Sequence, residues 1–349
     1  MELGSLQPIP KVQLDKYDRR ILSHLMLDGR TTFSAIAKKI GISKHRVINR
    51  VKKLEEKGVI TGYQAYLNHL KLGLGMNFIY IKTKGTQTLV ENYLQALSRI
   101  PFVASSKEIL GEYNVLVTMF YASKVQRDKT IDSILKTDLI RDFRILDVEN
   151  IRFTSFDFGK ESVKDKKIMP TSLQFSKSLK LSKFDKKDIE ILYSISQNYR
   201  KPLHEIASSI KLTREAVNFR LKKLVKNALV GKFQPVVNFY SLGYEGYVLR
   251  LKLAHRQEKH GLLDYLSHTF ACNAIYELNS DWDIIAFLHF PSVAELRKFE
   301  DILMKIYSST IFDYSFDLIK HQTKLDWFPQ ELAEGLKRNF SLTGRPQSL

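Results

Sequence analysis

Apolar residues recur at helical spacing in three short segments near the start of the chain, with polar residues between them. The pattern predicts a helix capped by Asp15, a second helix capped by Thr32, and a third helix that runs from Ser43 to Gly58. Gly41 permits a tight turn before the third helix. Three short helices with such a turn between the last two predict a helix-turn-helix.

The residues that follow the third helix favour strands. Residues 59–68 hold two short β-prone pieces, which predict a wing hairpin. Residues 75–155 then alternate between strand-like and amphipathic helical segments in the order βαββαβ, which is the order of a ferredoxin-like unit. We therefore expect a winged helix-turn-helix domain followed by a βαββαβ domain.

The same pattern occurs a second time. Residues 14–73 align with residues 184–243 at a constant offset of 170 without a gap, and residues 246–322 repeat the βαββαβ order. The sequence therefore predicts an α+β protein with two winged helix-turn-helix domains, each followed by a ferredoxin-like βαββαβ domain. The expected segments are a flexible tail at 1–13, winged domains at 14–70 and 184–240, βαββαβ domains at 71–159 and 241–325, a linker at 160–183 and a polar tail at 326–349.

The net charge of the chain is strongly positive, at +18 with a pI near 9.6. Residues 15–73 hold 13 Lys/Arg and 5 Asp/Glu, and residues 183–243 hold 12 and 5. These two segments carry +15 of the net charge in about a third of the length, so the positive charge is concentrated in the two predicted winged domains. Such a distribution is typical of modules that bind double-stranded DNA.

The outward face of the third helix carries the side chains that are expected to meet DNA. Val47, Val51 and Leu54 form the apolar stripe of this helix, and Arg, Lys, Asn and His fill the opposite face, which suits the major groove. An ordinary solvated helix is the alternative explanation for such a charged face. The DNA-binding residues predicted in the first unit are Thr32, Ser43, Lys44, His45, Arg46, Asn49, Arg50, Lys52 and Lys53.

The third helix of the second unit keeps the apolar stripe but has a different outward face. The positions that differ most are His45, Arg46 and Asn49 in the first unit and Glu215, Ala216 and Phe219 in the second. The second copy therefore either reads different bases, holds phosphates without reading sequence, or contacts protein through Phe219. The DNA-binding residues predicted in the second unit are Thr213, Arg214, Glu215, Asn218, Arg220, Lys222 and Lys223.

The repeated motif resembles that of the Lrp/AsnC, or feast/famine, transcription regulators. The resemblance rests on LDKYDRRIL at 14–22, on the pattern of residues 36–43 and 47–63, and on Leu72-Gly73. It implies a sequence-specific DNA-binding transcription regulator and not an enzyme. Because two chains of the family pair through their βαββαβ sheets, the two units of this chain are expected to form an intramolecular pseudo-dimer, which then associates into a larger homo-oligomer.

The resemblance also implies a small-molecule effector, which is an amino acid in the family. In the family a Gly-x-Tyr-Asp-like motif between the second and third strands of the βαββαβ unit helps to bind it. Here Asn replaces the acidic residue in the first unit, and Ser replaces the glycine in the second. The alternative is that Gly111 only makes the turn and that Tyr113 packs. The effector-binding residues implied are Gly111, Glu112, Tyr113 and Asn114 in the first unit and Ser280, Asp281, Trp282 and Asp283 in the second.

Other functions have less support in the sequence. The nine histidines show no metal-ligand spacing, and no phosphate-binding or nucleophile motif occurs, so we expect no metal, no cofactor and no catalytic residue. Sirohaem decarboxylases resemble Lrp/AsnC proteins in fold, and that alternative would use Arg250, Lys252, His255 and Arg256 to bind tetrapyrrole carboxylates. An architectural DNA-compacting protein is a third alternative. The single cysteine and the lack of a signal-like or membrane-spanning run lead us to expect a cytoplasmic protein without membrane contact.

Overall fold

The computed structural model describes residues 11–158, 173–176 and 183–343. The first winged unit contains α1 (Lys16–Leu27), α2 (Phe33–Ile40), α3 (Lys44–Glu56) and β1 (Ile60–Leu67). The βαββαβ unit after it contains β2 (Gly75–Thr83), α4 (Gln87–Arg99), β3 (Val103–Leu110), β4 (Val115–Tyr121), α5 (Lys124–Leu135) and β5 (Ile140–Phe153). A short strand, β6 (Leu173–Ser176), lies in the described part of the connecting segment.

The second half of the chain repeats this order. Its winged unit contains α6 (Lys186–Asn198), α7 (Leu203–Ile210), α8 (Arg214–Lys226) and β7 (Val230–Val237). The elements that follow are β8 (Glu245–Leu253), α9 (Lys259–His268), β9 (Cys272–Leu278), β10 (Ile284–Phe290), α10 (Val293–Tyr307), β11 (Ile311–Leu325) and a further helix, α11 (Gln330–Thr343). The predicted α+β fold class is confirmed, since each winged helix-turn-helix is followed by a βαββαβ unit.

The winged units begin in the same way because the same local chemistry recurs. Asp15 accepts the backbone N–H of Asp18, and the Asp18 side chain accepts the N–H of Asp15 in return, which caps α1. The turn between α2 and α3 is left-handed at Gly41, with φ 75°, a conformation in which glycine carries no steric cost. Lys211 takes the same left-handed conformation in the second unit, with φ 55°.

The two βαββαβ units share one closed antiparallel sheet. Within the described residues the strand order is β2-β4-β3-β11-β8-β10-β9-β5-β6, and pairing of β2 with β5 closes the first eight strands into a barrel. β5 pairs with β2 up to Asp147 and with β9 from Val148 onward. β11 pairs with β8 up to Ile319 and with β3 from Leu318 onward. Each unit therefore contributes half of its last strand to the other unit, and the units pair within one chain.

The expected wing hairpin is wrong. A single strand, β1, stands in its place, and it pairs antiparallel with the equivalent strand β7, with Gln64 opposite Gln234. Gly62 lies within this strand, opposite Val236. The chain stays extended because the backbone groups of β1 find their partners on the other unit. We call this two-stranded element, residues 60–67 and 230–237, the wing ribbon.

The expected polar tail at 326–349 is also wrong for its described part. Phe328, Leu332, Ala333 and Leu336 are buried, and α11 contacts α6 of the second winged unit. These apolar residues lie on one face of α11 and at its entrance, so burial stabilises the helix against the second unit. Residues 344–349 lie outside the described residues.

Two other expected flexible segments are described only in part. Residues 1–10 and most of the expected linker at 160–183 lie outside the described residues. The linker contributes β6, which pairs with β5. The backbone N–H of Val12 donates to the carbonyl of Ser241 at 2.7 Å, so the end of the expected N-terminal tail is attached to the second unit. No helix among the described residues combines the length and the apolar character needed to cross a lipid bilayer.

Candidate nucleic-acid interface

The cap and the apolar stripe of α3 determine which side chains this helix presents to solvent. The Ser43 hydroxyl accepts the backbone N–H of Arg46 at 3.3 Å, and the Thr32 hydroxyl caps α2 in the same way. Val47, Val51 and Leu54 are buried beneath the helix. The opposite face is exposed and carries Lys44, His45, Arg46, Asn49, Lys52 and Lys53. The predicted face of α3 is therefore open to a partner along its length.

The equivalent helix α8 has the same frame and a less basic outward face. The Thr213 hydroxyl accepts the backbone N–H of Ala216 at 3.2 Å, and the buried stripe is Val217, Leu221 and Leu224. Phe219 is 70% exposed, so its ring is open to contact with a partner. The remaining predicted residues of this helix are the exposed Arg214, Glu215, Lys222 and Lys223 and the half-buried Asn218 and Arg220.

Two of the predicted DNA-binding arginines are held by acidic residues of their own unit. Nη1 of Arg50 lies 2.7 Å from Oδ2 of Asp15 and 2.7 Å from Oδ1 of Asp18. Burial alone would raise the pKa of the Asp15 carboxyl, but the backbone N–H of Asp18 and the Arg50 guanidinium outweigh it and lower that pKa. Arg220 repeats this arrangement with Asp185 and Asp188 at 2.8 and 2.9 Å. Both arginines therefore attach the third helix of a unit to the start of the first.

The two winged units dock on each other through equivalent contacts. The backbone N–H of Gly29 donates to the carbonyl of Phe233 at 2.7 Å, and the N–H of Tyr199 donates to the carbonyl of Tyr63 at 3.0 Å. Because Gly29 and Tyr199 are equivalent in the repeat, each unit is bonded to the wing strand of the other. These contacts fix α3 and α8 relative to each other.

Arginines reinforce this docking. Arg200 lies over the rings of Tyr63 and Phe33, and Arg30 lies over Phe233. Sequence reasoning missed this role. The recurrence of arginine at positions 30 and 200 of the repeat was the available signal, but the partners lie in the other unit and no local pattern reveals them.

The two predicted effector loops converge on one buried arginine of β8. Arg250 pairs with Asp317, its Nε lying 3.0 Å from Oδ2, and it lies over the ring of Trp282 at 4.8 Å. Two residues of the first unit approach the same guanidinium. Oε2 of Glu112 lies 3.8 Å from Nη1 of Arg250, and the ring centre of Tyr113 lies 5.9 Å from the guanidinium carbon. The loops are thus brought together around a side chain of the protein itself.

The other loop residues fix the turns in which they lie. Asn114 accepts the backbone N–H of Thr83 at 2.8 Å, and Asp283 accepts that of Leu253 at 2.8 Å. Ser280 accepts the N–H of Asp147 at 2.9 Å. A Cβ atom at Gly111 would lie 2.0 Å from the carboxylate of Asp317, so glycine alone fits there. In the loop of the second unit, Asp281 is exposed.

The basic residues considered for tetrapyrrole binding do not form one open basic cluster. Arg250 is buried in its pair with Asp317, and Nε of Arg256 lies 2.6 Å from Oδ1 of Asp283. Lys252 lies over the ring of Phe312, and His255 is exposed. In the part of the chain that the structure describes, no group of three His, Cys, Asp or Glu side chains is arranged to hold a metal ion.

Comparison with known proteins agrees with this geometry. A family described as winged helix-turn-helix DNA-binding matches residues 14–61 and 184–227, which are the two units that carry α3 and α8. An uncharacterized HTH-type transcriptional regulator of Pyrococcus furiosus is 33% identical over 128 residues, or 36% of this chain and 85% of the relative. The HTH-type transcriptional regulator LrpA of Pyrococcus horikoshii is 40% identical over 87 residues, or 25% of this chain and 59% of LrpA.

The chain belongs to the Lrp/AsnC family of HTH-type transcriptional regulators. It is a tandemly duplicated member, because the winged helix-turn-helix match occurs once in each half and a βαββαβ unit follows each match. The structure of this Lrp/AsnC protein is similar to the crystal structure of the siroheme decarboxylase NirDL, with a TM-score of 0.60 and 13% sequence identity. The similarity covers 95% of this chain and 100% of the NirDL chain. At that identity the similarity concerns the fold alone.

Proposed function

We propose that this duplicated Lrp/AsnC regulator binds an asymmetric site on double-stranded DNA, with one half-site for α3 and a different half-site for α8. The observation that carries the proposal is the pairing of two winged units through the wing ribbon, because the outward helix faces of these units differ. Two identical faces related by a two-fold axis select a near-palindrome. Two different faces at a fixed separation select two different half-sites in a fixed order.

The exposed residues of α3 divide into two roles. Lys44, His45, Arg46 and Asn49 lie on the first two turns, where the N-terminal part of a recognition helix meets base edges. Lys52 and Lys53 lie farther along and are placed for phosphates. Arg50 acts differently, since its pairs with Asp15 and Asp18 position α3 and leave its contribution to DNA contact secondary.

The outward face of α8 supports a second recognition helix that prefers different bases from those of α3. Glu215 is an acceptor that suits the amino group of cytosine, and the exposed ring of Phe219 suits the methyl group of thymine. Arg214, Lys222 and Lys223 supply phosphate contacts. Affinity falls steeply with salt, because each neutralised phosphate contributes about 0.9 to the log–log slope.

The proposed activity is regulation without catalysis. Two of the four basic residues that a sirohaem-decarboxylase-like enzyme would use are paired with acidic side chains, Arg250 with Asp317 and Arg256 with Asp283. Response to an amino acid at the loops 111–114 and 280–283 has weaker support than DNA binding, since Arg250 already fills the space between Tyr113 and Trp282.

Selection of bound duplexes from a random pool at about 150 mM salt, followed by sequencing, tests the proposal. The expected result is an enriched asymmetric site with two different half-sites about one helical turn apart. Enrichment of one half-site alone would show that α8 does not read bases. Salt-sensitive binding without any enrichment would favour an architectural DNA-compacting protein, and the absence of DNA binding would overturn the proposal.

A further inference from the structure

A cavity of about 140 Å³ lies between the wing ribbon and the barrel. Strands from both halves of the chain form its walls, since Tyr66 and residues 234–237 of the wing ribbon face Lys107 of β3 and Tyr276 of β9. It is separate from the two predicted effector loops, none of whose residues lines it. The aromatic rings of Phe153, Phe287 and Trp327 make much of its surface apolar.

Lys107 is a buried cation that faces this cavity without a counter-ion. Its side chain is 5% exposed, and no carboxylate pairs with it among the described residues. The ammonium donates to the hydroxyl of Ser105 and lies 5.3 Å from the centre of the Phe287 ring. Burial of an unpaired ammonium is costly, so an anion beside Lys107 would stabilise its charged form.

The neighbouring acidic residues are neutralised elsewhere. Glu108, adjacent to Lys107 in β3, pairs with Lys320 of β11. Its counterpart Glu277 in β9 pairs with Arg152 at 3.3 Å and with Lys259 at 2.7 Å. The counterpart of Lys107 in the second half is Tyr276, which lines the same cavity. The cavity is therefore not symmetric, since its described lining contains one lysine and no acidic residue.

The remaining polar groups of the lining are neutral. Oδ1 of Asn273 is buried and accepts no hydrogen bond from the described residues. The amide nitrogen of Asn273 lies 3.2 Å from Nδ1 of His289. Burial, together with the charge of Lys107, lowers the pKa of His289 to about 3, so this imidazole is neutral at physiological pH. A ligand that fits meets one cation, a carbonyl acceptor and apolar walls.

We propose that this cavity is an effector site for a small carboxylic acid with an aromatic or similarly flat apolar body, whose carboxylate pairs with Lys107. The size is suitable, since an apolar cavity of about 150 Å³ holds a benzene molecule. The carboxylate supplies the counter-ion that Lys107 lacks, and the apolar body covers the rings of Phe153 and Trp327. An anion also keeps Lys107 protonated, because burial lowers its pKa to about 7.

The position of the cavity couples this ligand to the DNA-binding units. Asn238 and Phe239 line the cavity and follow directly on Val237, the last residue of the wing ribbon, which joins the two winged units. Met26 at the end of α1 also lines it. A ligand that fills this cavity therefore adds contacts between the wing ribbon and the barrel and stabilises the packing of one on the other. This regulatory part rests on the proposed DNA-binding function, whereas ligand binding does not.

Three fluorinated probes of the same shape and different charge test the proposal by ¹⁹F NMR: 4-fluorobenzoate, 4-fluorobenzamide and 4-fluorobenzylamine. The full-length protein is expected to bind the benzoate saturably, the neutral amide about tenfold or more weakly, and the cationic amine not at all. Equal binding of the benzoate and the amide, or no saturable binding of the benzoate, overturns the proposal.

Substitution of the lysine separates this site from others. Lys107→Met keeps an unbranched side chain, one heavy atom shorter, and removes the charge, so it is expected to abolish the preference for the benzoate over the amide. Lys252→Met makes the same substitution at an exposed lysine that does not line the cavity, so it is the matched control and keeps that preference. If Lys107→Met does not fold, the wild-type comparison of the three probes still decides the result.

The effect on DNA is measured separately, as the affinity of the ligand-free and benzoate-saturated protein for the same duplex. A change in affinity for wild-type protein and none for Lys107→Met is the expected result. Benzoate binding without any change in DNA affinity refutes the coupling and leaves the binding site. DNA binding in the absence of benzoate reports on the proposed function alone, so the two failures are distinguishable.

Discussion

The guanidinium of Arg200 lies over the ring of Tyr63, with 4.1 Å between its central carbon and the ring centre. The equivalent residue Arg30 lies 5.0 Å from the ring centre of Phe233. Each arginine belongs to one winged unit and stacks on the wing strand of the other. The separation of α3 and α8 therefore depends on contacts made between the units and not on either unit alone.

Arg200→Ala is expected to relax the spacing between half-sites that the protein accepts. Loss of a partly desolvated cation–π contact costs about 1 kcal/mol, which loosens the docking without unfolding either unit. Binding constants for the selected site and for versions lengthened by about two to five base pairs measure the effect. Lys201→Ala removes the same charge from the neighbouring position. If both variants keep the strict spacing of the wild type, the stacking of Arg200 does not set the separation.

Arg50→Ala is expected to destabilise the first winged unit by about 0.5–1 kcal/mol. The pairs with Asp15 and Asp18 are partly exposed, so solvent screening limits their contribution. The low pKa of Asp15 means that this contribution is present above the ordinary carboxyl pKa of 3.8 and is lost as the pH falls below it. Thermal unfolding of the wild type and of Arg50→Ala at pH 7 and pH 3 measures the destabilisation and its dependence on pH. The control Lys53→Ala is expected to weaken DNA binding without lowering stability. Equal unfolding temperatures for the two variants would show that the pairs of Arg50 with Asp15 and Asp18 do not stabilise the first winged unit.

Leu336→Ala is expected to destabilise the protein by about 2–4 kcal/mol, because Leu336 of α11 is 4% exposed and the substitution leaves a cavity beside α6. Denaturant unfolding measures the loss. Glu334→Ala, on the exposed face of the same helix, is expected to change stability by less than about 0.5 kcal/mol. A similar effect of the two substitutions would mean that α11 does not pack on the second unit in solution.

The buried lysines predict that stability increases with pH between about 7 and 9. Burial lowers the pKa of Lys107 and of Lys232 from 10.5 to about 7, so in this range the unfolded chain binds more protons than the folded chain. Each lysine then adds about 1.4 kcal/mol per pH unit to the free energy of unfolding. Urea midpoints at pH 7, 8 and 9 measure the slope. Lys107→Met is expected to reduce it by one lysine's share, and an unchanged slope would refute the assignment.

Local chemistry explains why so much of the fold was predictable from the sequence. The caps at Asp15, Ser43 and Thr213, and the buried stripes of α3 and α8, depend on residues within a few positions of each other. The exchange of strands depends instead on contacts such as that of Val148 with Leu278, which are far apart in the sequence. No local pattern marks the residue at which β5 leaves one unit and joins the other.

The candidate interface shows the same division. The exposed positions of α3 followed from periodicity alone, whereas the pairing of Arg50 with Asp18 required the packing of α1 against α3. The helix α11 escaped prediction for another reason. Its buried residues have helical spacing, but Gly335, Gly344 and Pro346 among polar neighbours favoured a tail. The unpaired charge of Lys107 became apparent only when the strands around it were placed.

Transfer of the outward face of α3 to α8 is expected to change the preferred DNA site from asymmetric to nearly palindromic. The triple variant Glu215→His, Ala216→Arg and Phe219→Asn makes three outward positions of α8 identical to those of α3. Glu215 and Phe219 are exposed and Ala216 is half-buried, while the buried stripe and the Thr213 cap are untouched, so the fold is expected to persist.

Selection from the same random pool measures the outcome of this transfer. If α8 reads bases, its half-site changes to that of α3, and two-fold related half-sites become enriched. Lys222→Ala with Lys223→Ala serves as the control, since loss of phosphate contacts lowers affinity on all sequences and leaves the preferred site unchanged. An asymmetric site that survives the triple substitution would show that the second half-site is read by residues other than the outward face of α8.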